Sequence, residues 1–384
     1  MFVPAVPIRT IPAGLIRNRF VIQPDRLLET FLTILRIDSY HPHEDPVIDA
    51  LRPQLERVGV QLRVDEHRNV LGYWPGRGAL RDREPILLCA HTDTVRPTPQ
   101  MEPVVRDGSV HSDGSSVLGA DDKAAVAAIV EALAAIEDAG VPHGPAEVLF
   151  TVGEDVGHIG SKAFDVTPVR SKMAFVPDAD GPVGGIMLAA PWSESTTVVF
   201  QGRAAHAGME PENGRSAVSM VAQSVQSMRL GRVDEETTAN VGVIAGGEAI
   251  NIIPPEAELK FNVRSLDKKK YENLSAEMLD CCRQAASQFE GQIDVVPINA
   301  IAGFRFEPNA PIVRRAEAAM KAAGVKPWQS VTCGGSDANE LNEKGLPTIV
   351  ISVGYKDIHS NKESMPIDDL NRLAEVCAGL ILAN

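Results

Sequence analysis

The stretch Ile86–Val95, ILLCAHTDTV, joins a short, uninterrupted apolar run to a cluster of polar side chains. The run Ile86 to Ala90 is too short for an ordinary helix and lacks the alternation of a half-solvated strand. It suits a strand covered on both faces, as in a mostly parallel sheet flanked by helices. Glu147–Val152, Met173–Val176 and Thr348–Val353 have the same form. Between them lie helical patterns. Ala124–Ile136, interrupted by Glu131, predicts a buried helix, because alanine has the best helix propensity. Pro311–Ala323 and Pro366–Leu382 are helical as well, each with proline near its first turn. The fold class predicted is α/β, with these segments forming one domain.

That grammar is interrupted. Strand candidates at Thr196–Arg203, Thr237–Ala245, Ala257–Ser265 and Gln292–Asn299 enclose helical segments at Arg215–Leu230 and Lys268–Phe289. The order β-α-β-β-α-β is the ferredoxin-like arrangement. The expected organisation is therefore a discontinuous domain, 19–190 and 301–384, with an inserted α+β domain over 191–300. Residues 1–18 hold three prolines and no sustained apolar core, which makes a poor signal peptide and predicts a loose tail.

Composition narrows the partners. The 384 residues carry 37 basic and 51 acidic side chains, a net charge of −14. An acidic balance argues against nucleic acid and anionic membrane, both of which reward a basic surface. No run of eighteen uncharged apolar residues exists, so no membrane span is expected. Five cysteines without a repeating spacing make a poor disulfide framework and point to a reducing, cytoplasmic compartment.

In open α/β sheets, ligands bind at the carboxyl ends of the strands. The residues there are His91 and Asp93, then Glu154 and Asp155, then Asp178 and Asp180, then His359; Asp121-Asp122 precedes the alanine-rich helix. A lone Asp after a strand is usually a turn or cap residue. So many carboxylates on one rim would repel one another unless a cation held them. Histidine with carboxylate suits zinc, manganese or cobalt, and two metals sharing a carboxylate suit a hydrolase that activates water.

These motifs resemble the M20 family of metallopeptidases, in particular its peptidase T-like (tripeptidase) branch. The matching segments are His91–Val95, Gly119–Lys123, Thr151–Gly157, Asp178–Gly184, Ala205–Gly208, and His359 with Glu363. The resemblance implies a zinc-exopeptidase-like catalytic domain with a ferredoxin-like lid that also serves dimerisation. It implies two divalent metal ions, zinc with cobalt or manganese as alternatives. Asp121 would bridge them, His91 and Asp178 would complete one site, and Asp155 and His359 the other. Asp93 would hold His91, and Glu154 would be the general base. In the lid, His206 would stabilise the oxyanion, Asn251 would contact substrate backbone, and Arg264 would clamp a substrate carboxylate.

Two departures stand out. The family's common Glu-Glu pair is Glu154-Asp155 here, and Asp178 competes with Asp180 for the ligand position. The expected activity is hydrolysis of short peptides from the amino end, as an aminotripeptidase. Carboxypeptidase, dipeptidase or N-acyl-amino-acid amidohydrolase activity stays open, because one centre can hydrolyse any suitable amide. A non-catalytic dimeric binding protein is the alternative from another class.

Overall fold

The computed structural model describes residues 20–332 and 334–383. The expected tail, 1–18, lies outside the described residues. The chain forms two compact units, one running to Leu188 and resuming at Phe306, the other spanning Ala189–Arg305. The second is slightly wider than 191–300 because Ala189–Ala190 pairs with Phe304–Arg305 where the chain enters and leaves.

An eight-stranded mixed sheet organises the first unit. Its order is Gln61–Val64, Val70–Trp74, Ala146–Thr151, Ile86–His91, Ala174–Ala179, Thr348–Ser352, Gly185–Met187 and Trp328–Ser330. The four strands from Ala146–Thr151 to Thr348–Ser352 run parallel to one another. Of these, Ile86–His91 and Ala146–Thr151 are buried at every position, as their apolar runs require. Antiparallel pairings lie on either side of this centre. One flank arises locally. Asp65 accepts the backbone N–H groups of His67 and Asn69, closing the turn that folds Gln61–Val64 back on Val70–Trp74.

The helix Ala120–Ala139 is buried from Ala120 through Ile136 and packs against the helix Ile367–Leu382. Its alanines let neighbouring backbones approach closely. Gly140, with φ 62°, ends it in the left-handed region that favours glycine.

In the second unit the strand order is Gln292–Ile301, Trp192–Gln201, Glu256–Ser265, Thr237–Gly246 and the short Gly231–Arg232. All pairings are antiparallel, and the first four strands have the ferredoxin-like order. Helices Ala217–Ser227 and Lys268–Gln288 start at Ser216 and Asp267, whose side chains accept the Ser219 and Lys270 backbone N–H groups. Phe200, Met220, Leu259, Phe261 and Met278 lie in this unit's own core. Gly231–Arg232 pairs only with Thr238 and Ala239. Beyond them the edge strand is exposed, with Val243 and Ile244 at 44% and 55%.

Candidate metal centre

Five local structures carry the site. His91 is the last residue of its strand, and Asp178 lies inside the strand Ala174–Ala179 rather than after it. Glu154 and Asp155 sit on a tight turn after Ala146–Thr151, where Gly157 and His158 both donate their backbone N–H to the Glu154 carbonyl. Asp121 lies in the first turn of the buried helix. The turn before it needs Gly119, which has φ 76° and where a Cβ would lie 2.9 Å from Thr94 Cγ2. His359 follows the strand Thr348–Ser352, and its carbonyl accepts from Arg96 Nη2.

The side chains converge. His91 Nε2 lies 3.3 Å from Asp121 Oδ1 and 3.8 Å from Asp178 Oδ1. His359 Nε2 lies 3.1 Å from Asp121 Oδ2 and 3.2 Å from Asp155 Oδ1. Asp121 thus turns one oxygen toward each histidine. The donor atoms of His91, Asp121 and Asp178 fall within 4.8 Å of one another, as do those of Asp121, Asp155 and His359. A third grouping, His91 with Asp93 and Asp155, meets the same limit. Asp93, however, is engaged elsewhere. Its two oxygens accept the backbone N–H groups of Glu154 at 2.9 Å and Asp155 at 3.1 Å, and Oδ1 lies 3.3 Å from His91 Nδ1. Asp180 is exposed and belongs to none of the three groups.

Burial pushes the Glu154 and Asp178 carboxyls well above their ordinary range, and neighbouring carboxylates add to the shift. Burial also raises Asp155. It opposes ionisation of Asp121 too, but hydrogen bonds with His359 and His91 hold that group well below the carboxylate range. Asp121 and Asp155 lift His359 to about 10. Among the described residues, the buried Asp155 Oδ2 has no hydrogen-bond partner. Crowded, buried carboxylates with an unsatisfied oxygen are the setting a divalent cation relieves, because it favours their charged forms. The His and carboxylate donors fit zinc, manganese or cobalt.

A cleft of about 320 Å³ opens over these groups, lined also by Asp180, Thr332, Gly334, Gly335, Tyr355 and Ile358. Asp337 lies beneath rather than in it, accepting the Thr151 hydroxyl.

His206, Asn251 and Arg264 belong to the second unit and are all exposed. His206 Nδ1 accepts the backbone N–H groups of Gly208 and Met209. In the neutral ring the proton therefore sits on Nε2, which leaves that N–H available as a donor. Ala207 donates its N–H to the Asn251 carbonyl, so these two loops lie side by side. Arg264 Nε donates to Asn262 Oδ1 at 2.9 Å.

The profile of peptidase family M20/M25/M40 matches residues 87–383. The chain belongs to this family. It is 35% identical to the uncharacterized protein YqjE of Bacillus subtilis, over 94% of this chain and 99% of that one. Peptidase T of Lysinibacillus sphaericus is 27% identical over 74% of this chain and 69% of its own. Among solved structures, the aminopeptidase PepT of Bacillus cereus superposes with a TM-score of 0.89 at 33% identity, covering 94% of this chain and 98% of that one. A tripeptidase of Staphylococcus aureus gives 0.88 at 33% identity, with the same coverage. The chain is thus a peptidase T-like member of the family, with its mixed α/β fold, and hydrolyses peptide bonds.

Sequence reasoning missed several supporting residues. Glu363, quoted only as part of a motif, is buried and accepts the backbone N–H groups of Leu118, Gly119 and Asp121. It fixes the turn that aims Asp121, and burial pushes its carboxyl up to about 7. Tyr355 brings its hydroxyl 3.4 Å from Asp178 Oδ1. Only Glu363 left a signal in the sequence, its offset of four from His359. Asp93 has a second contact besides His91: it lies 3.3 Å from the His91 ring and accepts the two N–H groups of the Glu154-Asp155 turn. Asp93→Ala should therefore cost about 10–100-fold in metal affinity or activity, the usual effect of losing a ligand's outer partner. Metal titration of the purified variant measures the first, and an unchanged affinity with unchanged kcat would reject the role.

Proposed function

We propose that the chain is a dinuclear metal-dependent aminotripeptidase. The observation that carries the reading is Asp121, whose two oxygens face His91 and His359 in two adjoining donor sets. His91, Asp121 and Asp178 would hold one cation; Asp121, Asp155 and His359 would hold the other. Zinc is favoured over cobalt or manganese. Bound there, the cations would polarise the scissile carbonyl and acidify a water molecule.

The chain's own groups do the rest. Glu154 takes the proton of the attacking water and returns it to the leaving amine. Its backbone is fixed through Asp93, and its Oε2 lies 3.9 Å from His91 Nε2. Asp155 is one methylene shorter than the family's usual Glu, so it brings its carboxylate closer to the backbone turn. His206 donates to the developing oxyanion through Nε2–H, a contribution of about 2.7–4 kcal/mol in comparable sites. Asn251 contacts the substrate backbone. Arg264 takes the free carboxylate of a short peptide, for which a planar guanidinium is well shaped.

The names of the relatives, aminopeptidase and tripeptidase, support cleavage from the amino end. Steady-state assays test this. Tripeptides with a free amino terminus should be cleaved, and their N-acetylated forms and dipeptides should be poor substrates. Activity on N-acetyl amino acids alone would replace the reading with an amidohydrolase. Release of the carboxy-terminal residue would replace it with a carboxypeptidase, and preference for dipeptides with a dipeptidase. No hydrolysis under metal-replete conditions would leave a binding protein.

The second unit is proposed as a lid and dimerisation domain. Its support is the exposed edge of Thr237–Gly246, where pairing with a second copy would satisfy open backbone groups and cover Val243 and Ile244. Sedimentation should give a homodimer at micromolar concentration, and a monomer would reject it. A cytoplasmic location is the proposal that the sequence supports, through five cysteines without a repeating spacing. Among the described residues, no helix is long and apolar enough to cross a membrane.

A further inference from the structure

Behind the Glu154 carboxylate lies a buried histidine that the reaction scheme does not use. His158 Nε2 is 3.3 Å from Glu154 Oε1, and its Nδ1 is 3.1 Å from Glu340 Oε1. Glu340 is itself buried and comes from the helix Asp337–Glu343. The two oxygens of Glu154 thus look in different directions, Oε1 toward His158 and Oε2 toward His91.

The backbone at His158 makes the side chain informative. Its φ is 60°, in the left-handed region. That conformation is the one glycine adopts most readily, and a larger residue kept there usually has a local reason. Here an imidazole spans the gap between two carboxylates, which glycine could not do. The same short helix is braced at its other end. Lys344 Nζ donates to the carbonyls of Ser161, Lys162 and Phe164. Residues 158–164 are therefore held to the helix Asp337–Glu343 and the residue after it at two places, by the His158–Glu340 contact and by the three bonds from Lys344.

We propose that His158, held by Glu340, is a positioning residue that fixes the Glu154 carboxylate with one oxygen anchored and the other presented to the metal centre. The inference rests on Glu154 being the base. Without the anchor, the carboxylate can rotate about its side-chain torsions. Fewer bound substrates then meet a correctly aimed base, while ground-state binding is untouched. A loss confined to kcat is the expected signature.

The test uses the full-length, metal-replete enzyme and a cleavable tripeptide. His158→Leu should lower kcat by about 10–100-fold, the range typical of losing an outer partner in an active site. KM and the metal content should stay within about twofold of the wild type. His158→Gln, whose amide can reach Glu154, should recover most of the loss. Glu340→Leu should reproduce the kcat defect, and it serves as the readout if His158→Leu does not fold. Lys344→Met is the structural control: its melting temperature should fall while kcat holds. Unchanged kcat in His158→Leu or Glu340→Leu would overturn the proposal. So would a loss carried by KM or by metal content, or no recovery in His158→Gln. If the wild type itself fails to cleave peptides, the peptidase reading fails first and takes this role with it; a wild type that cleaves, with indifferent His158 variants, rejects the positioning role alone.

Discussion

Glu154→Gln should lower kcat on a tripeptide by about 10²–10⁴-fold, the usual contribution of a positioned general base. The substitution keeps the shape of the side chain and removes only its capacity to take a proton. Metal content should not change, because Glu154 belongs to neither shared donor set around Asp121. KM should change little. The carboxylate is buried, and its turn is pinned by two N–H bonds to Asp93 and one to the Glu154 carbonyl from each of Gly157 and His158. Those backbone contacts survive the change, so the variant should fold. Hydrolysis that persists undiminished, with metal measured by elemental analysis in the same sample, would remove Glu154 from the mechanism.

Stripping the metal should abolish hydrolysis and lower thermal stability, both reversibly. Asp121→Asn should do the same permanently, since it weakens both donor sets at once. A ligand that binds only the folded chain stabilises it by about 2.7 kcal/mol at a hundred times its Kd. The pH dependence has a definite sign. Burial raises the Glu154, Asp155 and Asp178 carboxyls in the metal-free protein. A group with a raised folded pKa binds its proton more tightly folded than unfolded. Its stabilising contribution is complete below the ordinary carboxylate pKa, about 4, and is lost as pH rises through the raised value. The metal-free protein should therefore lose stability, through these groups, as pH climbs from about 4 toward neutrality. Metal binding needs these carboxylates charged, so it should stabilise more at pH 8 than at pH 5.5. Melting curves with and without chelator at both values measure this. A chelator effect that is equal at the two, or larger at the lower, would reject the linkage.

The parallel centre of the sheet was legible in Ile86–Ala90 and Glu147–Val152 because positions buried on both faces are mostly apolar; buried Glu147 is the exception, its carboxylate accepting from Arg170 and Ser171. Its flanks were less so. Gln61–Val64 is largely exposed and carries no such run, and it joins the sheet through the Asp65 turn. In the same way, His91, Asp121, Glu154, Asp155, Asp178 and His359 could be picked out as types of residue beside buried strands or, for Asp121, the buried helix, since adjacency to a buried run is written along the chain.

What the sequence by itself determined is the chemistry available: which carboxylates and imidazoles stand at the ends of buried segments, and that an acidic chain concentrates them at one rim. Tertiary structure alone decided which of them meet. Asp178 and Asp180 are indistinguishable by spacing. The strand ends at Ala179 and Gly181 turns with φ 91°, leaving Asp178 beside His91 and Asp180 exposed in the cleft wall. Glu363 reaches the turn before Asp121 across 242 residues of chain, and Glu340 reaches His158 across 182. Contacts of that separation carry no local periodicity, because the geometry that closes them exists only once the sheet and its helices have packed.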